Sequence, residues 1–207
     1  FRGLYGTLHS AQTLGGVVAC NLSGSRRIQA GAARDHLLGF EAVSGRGEVF
    51  KSGGRVVKNV TGFDLSKLMA GSYGTLAVMT EVTVKVLPAP EKIRTVLITW
   101  ERDGIYDHGG TKAMIDALAS PHEVSGAAHL PAAVAGRSSV GYVANGGCAV
   151  TAIRVEGPEP SVAHRCEALR ALLAPLGNTE ELHSKNSQIL WREIRDVIYF
   201  SDDQERH

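Results

Sequence analysis

Residues 54–90 read GRVVKNVTGFDLSKLMAGSYGTLAVMTEVTVKVLPAP, and this stretch decides how the first part of the chain is built. A short helical pattern from Asp64 to Met69 halts at Gly71-Ser72-Tyr73-Gly74-Thr75. Leu76, Val78, Val82, Val84 and Val86 then set the alternation of a strand until Pro88 and Pro90 end it. Glycine has no Cβ, so backbone amides at Gly71 and Gly74 can approach an anion, and Ser72 and Thr75 add hydroxyl donors. Successive N–H groups of such a turn can form an anion nest. The pattern suits a diphosphate cradle, but taken alone it more commonly marks a helix C-cap at Gly71 and a turn glycine at Gly74.

A second glycine site lies upstream in Thr13-Leu14-Gly15-Gly16-Val17-Val18-Ala19-Cys20-Asn21. It predicts a helix entered through a Thr13 N-cap, with two glycines in its first turn that lower helix stability by about 1 kcal/mol each. Two compensations are open. The unpaired N–H groups and partial positive charge of the helix start can take a phosphate or a flat ring, or the missing side chains can permit a close helix–strand contact.

Five segments in order, Thr13-Leu14-Gly15-Gly16, Ala19-Cys20-Asn21-Leu22-Ser23-Gly24, Arg34-Asp35-His36-Leu37-Leu38-Gly39, Lys58-Asn59-Val60-Thr61-Gly62-Phe63-Asp64-Leu65 and Gly71-Ser72-Tyr73-Gly74-Thr75-Leu76, resemble the second half of the FAD-binding domain of the vanillyl-alcohol-oxidase (PCMH) type. Within that type, Ser23-Gly24-Ser25-Arg26-Arg27 and the run Lys58 to Met69 are most similar to FAD-binding subunits of bacterial glycolate oxidase. The resemblance is strong over residues 13–90 and weak beyond them.

The resemblance implies non-covalent FAD. It puts Thr13, Leu14, Gly15, Gly16, Asn21, Ser23 and Gly24 near the flavin and its diphosphate. Gly71, Ser72, Gly74 and Thr75 would approach the diphosphate, ribose or adenine, with Ala77 and Val78 acting mainly through their backbone, and Arg34 is a candidate source of charge beside Arg26 and Arg27. It further implies oxidation of glycolate or a similar small 2-hydroxy acid, a paralogous flavin subunit and an iron–sulfur subunit as partners, and a cytoplasmic complex at most peripheral to the inner membrane. A non-catalytic assembly subunit with a vestigial flavin site, and another flavoenzyme of the same fold, are the alternative readings. Two departures stand out: Gln12 where glycine is usual and Tyr73 where glutamate is common. The glycine-rich loop that precedes these segments in the family and its C-terminal return segment are not among the residues here. The expectation is therefore an internal fragment, inactive alone, that does not by itself hold FAD tightly.

Composition excludes other classes. With 22 basic and 21 acidic side chains the net charge is +1, and the one tight basic cluster, Arg26-Arg27, is too small for a nucleic-acid face. No run approaches the roughly 20 apolar residues of a bilayer span. Cys20, Cys148 and Cys166 lack C-x-x-C pairing and the eight histidines lack ligand spacing, so the thiols are expected to be reduced and mostly buried, with no metal site.

Pro88-Ala89-Pro90 predicts the domain boundary, giving residues 1–90 as the C-terminal part of the flavin domain and 91–207 as a partial cap domain. The first part reads helix 13–22, strands 37–44 and 47–51 about an Arg46-Gly47 turn, a Lys58–Gly62 loop, helix 64–70 and strand 75–87. The second reads strand 93–100, helix 110–119 with Met114, Ile115 and Leu118 at helical spacing, strand 124–130, strand 148–156, helix 160–176 and edge strand 178–183. That order predicts α+β, with a ferredoxin-like sheet carrying its helices on one face. A last helix, 187–198, would turn Ile189, Leu190, Ile194 and Val197 inward, leave Trp191 free for another contact, and find nothing in the chain to pack on. Arg137, Arg154 and Arg192 are candidates for gripping a substrate carboxylate through paired hydrogen bonds. No catalytic residue is assigned.

Overall fold

The computed structural model describes residues 13–57, 62–100 and 107–200; the predicted Lys58–Thr61 segment and Gln12 lie outside them. The chain divides at Pro88 and Ala89 into two compact units.

In the first unit, α1 (Leu14–Ala19), α2 (Arg27–Ala30) and α3 (Ala33–His36) precede strand β1 (Leu37–Ser44), β2 (Val49–Gly53), α4 (Leu65–Met69) and β3 (Ala77–Val84). The antiparallel sheet has the order β2-β1-β3. β1 and β2 form the expected hairpin, with Val43 opposite Val49 and Gly47 at φ +79° in the turn. α4 starts at Asp64, whose carboxylate accepts the Lys67 N–H at 3.3 Å, and turns Met69 onto Phe40, Ala42 and Ala77 in the core. Phe40 and Phe50 close that core edge to face at 5.6 Å. The predicted strand 75–87 is shorter at both ends, because Ala77 and Val84 are the last residues with partners on β1. The predicted helix 13–22 stops at Ala19 for a reason given below, and the second hairpin strand is shifted two residues onward.

The second unit runs β4 (Lys92–Thr99), α5 (Asp107–Ala119), β5 (Gly126–Leu130), α6 (Ala132–Ala135), α7 (Gly141–Ala144), β6 (Val150–Gly157), α8 (Glu159–Leu173), β7 (Asn178–His183), α9 (Ser184–Asp196) and a 3-10 turn, Ile198–Phe200. Its sheet, β5-β6-β4-β7, is antiparallel throughout, which is the ferredoxin-like order produced by two βαβ units. The prediction of helices on one face is corrected. α5 and α8 cover one side through Val96, Ile98, Ala113, Ala117, Val162, Cys166, Leu169 and Leu173. α9 and the short helices cover the other through Leu97, Leu130, Val143, Ala152, Leu182, Leu190 and Trp191. Burial on both faces explains why Thr95 to Ile98 are all inaccessible and why β4 shows no alternation in sequence.

Close packing sets the buried faces of two helices, and in α9 that face differs from expectation. α5 buries Gly110, Ala113 and Ala117 and leaves Ile115 and Leu118 exposed. The small residues bring the helix so close to β5 that a Cβ on Gly110 would lie 2.2 Å from the His129 ring. In α9, Trp191 is buried, with Nε1–H donating to Thr95 Oγ1 at 2.8 Å and the Arg154 guanidinium 4.5 Å over its ring, whereas Val197 is exposed in a left-handed C-cap. α9 is thus answered by the sheet of its own unit.

Candidate functional site

The candidate site is built at the junction of α1 and the turn 71–75. Thr13 Oγ1 accepts the Gly16 N–H at 3.1 Å, so the predicted N-cap is present. At the other end the helix closes in a Schellman arrangement: Asn21 N–H donates to Val18 O at 2.9 Å and Leu22 N–H to Val17 O at 3.0 Å, with Asn21 at φ +49°. Asparagine tolerates that left-handed position, and the helix ends there instead of running to residue 22. The Asn21 side-chain oxygen then accepts the Arg34 N–H at 2.9 Å, tying the exit of α1 to α3.

The turn docks on the last carbonyls of α1. Gly71 N–H donates to Val18 O at 3.2 Å and Tyr73 N–H to Ala19 O at 2.9 Å, and a Cβ on Gly71 would stand 3.5 Å from Asn21 Cβ. The two glycine-bearing segments, about 50 residues apart in sequence, are therefore bonded to one another. The junction forms at the C-terminal end of α1. Gly15 at its start faces β3 instead, its added Cβ 3.8 Å from Met79 O, which is ordinary van der Waals contact, so packing on the strand does not require a glycine there.

The expected anion nest of successive N–H groups is corrected. Besides Gly71 and Tyr73, Ser72 N–H donates to Met69 O at 3.2 Å and Thr75 N–H to Ser72 O at 3.0 Å, and Thr75 Oγ1 donates to Ser72 O at 2.6 Å. Gly74 N–H makes none of these bonds. Ser72 Oγ, covered from solvent, has no hydrogen-bond partner. The donors left to a ligand at the turn are thus Gly74 N–H and Ser72 Oγ, a smaller set than the sequence suggested. Gly74, at φ +75°, has no heavy atom among the described residues, its chain neighbours aside, within 4 Å of where a Cβ would lie.

The remaining candidates have definite places. Ser23 Oγ accepts from Arg27 Nη1 at 3.2 Å, and Gly24 O accepts the Arg27 N–H. Leu14 and the Arg34 side chain are exposed, Ala77 is buried, and Val78 is exposed on β3, which is an edge strand of its sheet. Asp35, capping α3 through the Ala32 N–H at 2.8 Å, has its carboxyl held below the usual value chiefly by that bond.

Sequence reasoning missed two residues that brace this region. Lys67 Nζ donates to the carbonyls of Arg34 and Leu37. The His36 ring bonds Lys85 O at 3.0 Å and Ala30 O at 2.7 Å. Both reach carbonyls whose proximity only the fold creates, so no local signal marks them.

In the second unit the three carboxylate-gripping candidates have different surroundings. Arg154 is buried and donates through Nε to Ser125 Oγ at 3.0 Å and through Nη2 to Ser125 O at 3.1 Å, and Arg137 Nη1 holds Tyr199 O at 2.7 Å. Arg192 lies exposed on α9. The thiols are only partly as expected: Cys166 is buried, but Cys20 and Cys148 are half-buried. Among the described residues no group of three or more His, Cys, Asp or Glu side chains could hold a metal ion, and no helix is long and apolar enough to cross a membrane.

No family model matches the chain. It is 54% identical over 78 residues, 38% of its own length, to the glycolate oxidase subunit GlcE of Escherichia coli. It is 44% identical over 87 residues to an uncharacterized FAD-linked oxidoreductase, Rv2280, of Mycobacterium tuberculosis. The chain spans 22% and 19% of these two relatives, about a fifth of their length. Among solved structures, an alkyldihydroxyacetonephosphate synthase superposes on 88% of the chain, and 36% of its own, with a TM-score of 0.66 at 16% identity, a likeness of fold.

Proposed function

We propose that this chain supplies part of the FAD site of an oxidoreductase that oxidises a small 2-hydroxy acid, glycolate or a near relative, to the 2-oxo acid. The reading is supported by the likeness to GlcE and to an FAD-linked oxidoreductase. One geometric observation carries it: the turn 71–75 is bonded onto the end of α1 and leaves the Gly74 amide without a hydrogen bond among the described residues, beside a partnerless Ser72 hydroxyl.

Those two donors would hold a diphosphate oxygen, where hydrogen bonds to a charged acceptor contribute roughly 1.5–3 kcal/mol each. Arg34, exposed beside Asn21, would add charge, and the exposed outer edge of β3 at Ala77 and Val78 would offer backbone groups to the nucleotide. Ser23 and Gly24, on the loop after α1, and Thr13 to Gly16 at its start would line the rest of this wall. The bound flavin would accept the hydride equivalent from the substrate α-carbon, and the protein's part is binding, orientation and exclusion of water. The second unit would act as a cap domain, its buried arginines serving the fold and not the substrate.

The complete protein is proposed to work as a cytoplasmic subunit beside a paralogous flavin subunit and an iron–sulfur subunit. The test is turnover by the full-length protein, purified with and without those partners. Reduction of an artificial acceptor that depends on glycolate or D-lactate and on FAD is expected. A flavin-loaded complex that turns over neither acid would overturn the substrate assignment.

A further inference from the structure

Tyr73 holds a backbone conformation that its side chain gains nothing from inside the fold. It sits at φ +55°, between Gly71 at +89° and Gly74 at +75°. Glycines take such angles without steric cost, whereas a bulky L-residue there is an outlier. Its N–H is fixed on Ala19 O at 2.9 Å, yet the residue is 73% exposed, so burial of the ring does not offset the strain. Directly before it stands the covered, partnerless hydroxyl of Ser72. Strained residues that a surrounding structure over-determines cluster at ligand clamps, and an exposed aromatic ring is a stacking platform for any flat heterocycle.

Resting on the FAD reading above, we propose that Tyr73 is a ligand-contact residue whose ring stacks on a flat ring of the flavin dinucleotide, its left-handed backbone presenting the ring beside the donors of Gly74 and Ser72. The ring met is either the adenine or the isoalloxazine, and the ligand series below separates them.

The experiment uses the full-length protein with its flavin removed. Affinities for FAD, FMN and ADP, and the melting temperature of the apo form, are measured for wild type, Tyr73→Phe, Tyr73→Ala and Tyr73→Gly. Tyr73→Phe keeps the ring and is expected to bind FAD as wild type does. Tyr73→Ala and Tyr73→Gly are expected to bind about ten-fold more weakly. The apo form of Tyr73→Gly should melt a few degrees higher, because glycine relieves the positive φ. A stacking contact therefore separates affinity from stability in opposite directions, which a purely structural role does not do. Equal weakening toward FMN assigns the isoalloxazine and equal weakening toward ADP the adenine, and either supports the proposal. Unchanged FAD affinity in Tyr73→Gly, or an equal loss in Tyr73→Phe, overturns it while leaving the FAD site standing. A wild-type protein that binds no FAD removes the FAD reading and this inference with it.

Discussion

Replacing Gly74 by alanine separates the needs of the fold from those of a ligand. Gly74 stands at φ +75°, and among the described residues, its chain neighbours aside, no heavy atom lies within 4 Å of a Cβ built on it. The cost to the fold is therefore confined to the backbone: a left-handed L-residue is disfavoured by about 1–2 kcal/mol, and the stiffer unfolded chain returns about 0.4–1 kcal/mol of it. The net, about 1 kcal/mol, corresponds to a fall in melting temperature of roughly 4–8 °C for a unit of this size. Gly47 in the β1–β2 hairpin is a matched control, at φ +79° and with equally open space, and Gly47→Ala should lower the melting temperature by a similar amount. The two differ in their amides. A phosphate held by the Gly74 N–H needs this left-handed backbone as it stands, so a residue that shifts it weakens a charge-assisted hydrogen bond of about 1.5–3 kcal/mol and FAD binding about ten- to a hundred-fold, whereas Gly47→Ala leaves FAD binding unchanged. Calorimetric melting of the apo protein and titration with FAD measure both quantities. Equal FAD affinities for the two variants would refute the reasoning, whatever their melting temperatures.

Further outcomes follow from single contacts. Ser72→Ala removes a hydroxyl without a protein partner, so apo stability should stay within about 0.5 kcal/mol of wild type while FAD affinity falls about ten-fold; a stability loss as large as that of an ordinary buried hydrogen bond would contradict the assignment. Glu193→Ala strips the acceptor from Ser138 Oγ, the Ser139 N–H and the Tyr199 hydroxyl, and chemical denaturation should show a loss of about 3 kcal/mol. Burial raises the Cys166 thiol from 9.0 to about 12, so alkylation of the native protein should reach Cys20 and Cys148 and spare Cys166. The same shift makes stability fall as pH rises above 9, where the unfolded thiol ionises and the folded one does not, until about 12. A Cys166→Ala variant should lose that part of the alkaline slope.

The sequence was most legible where a pattern is local. β1 and β7 were bounded correctly, and the two βαβ orders sufficed for the ferredoxin-like sheet. Four-residue helices such as α2, α3, α6 and α7 are too short to display a period and passed unseen. The spacing of Met114, Ile115 and Leu118 marked α5 as a helix but not its buried face: Met114 packs on the core, while close approach to β5 selects Gly110, Ala113 and Ala117. Trp191 looked free because its partners, Thr95 and Arg154, stand 96 and 37 positions away. The same limit governs the site. The glycines and hydroxyls at 71–75 could be seen as a turn with donors, but that the carbonyls of Val18 and Ala19 take up two of those donors is decided by tertiary contact alone.

The account depends most on whether the α1 junction and the turn at 71–75 receive a flavin dinucleotide, and the flavin content of the purified full-length protein measures this directly. One FAD per chain in the visible spectrum, or saturable binding when FAD is added to the stripped protein, is the predicted result. A colourless protein that takes up no added FAD would contradict it.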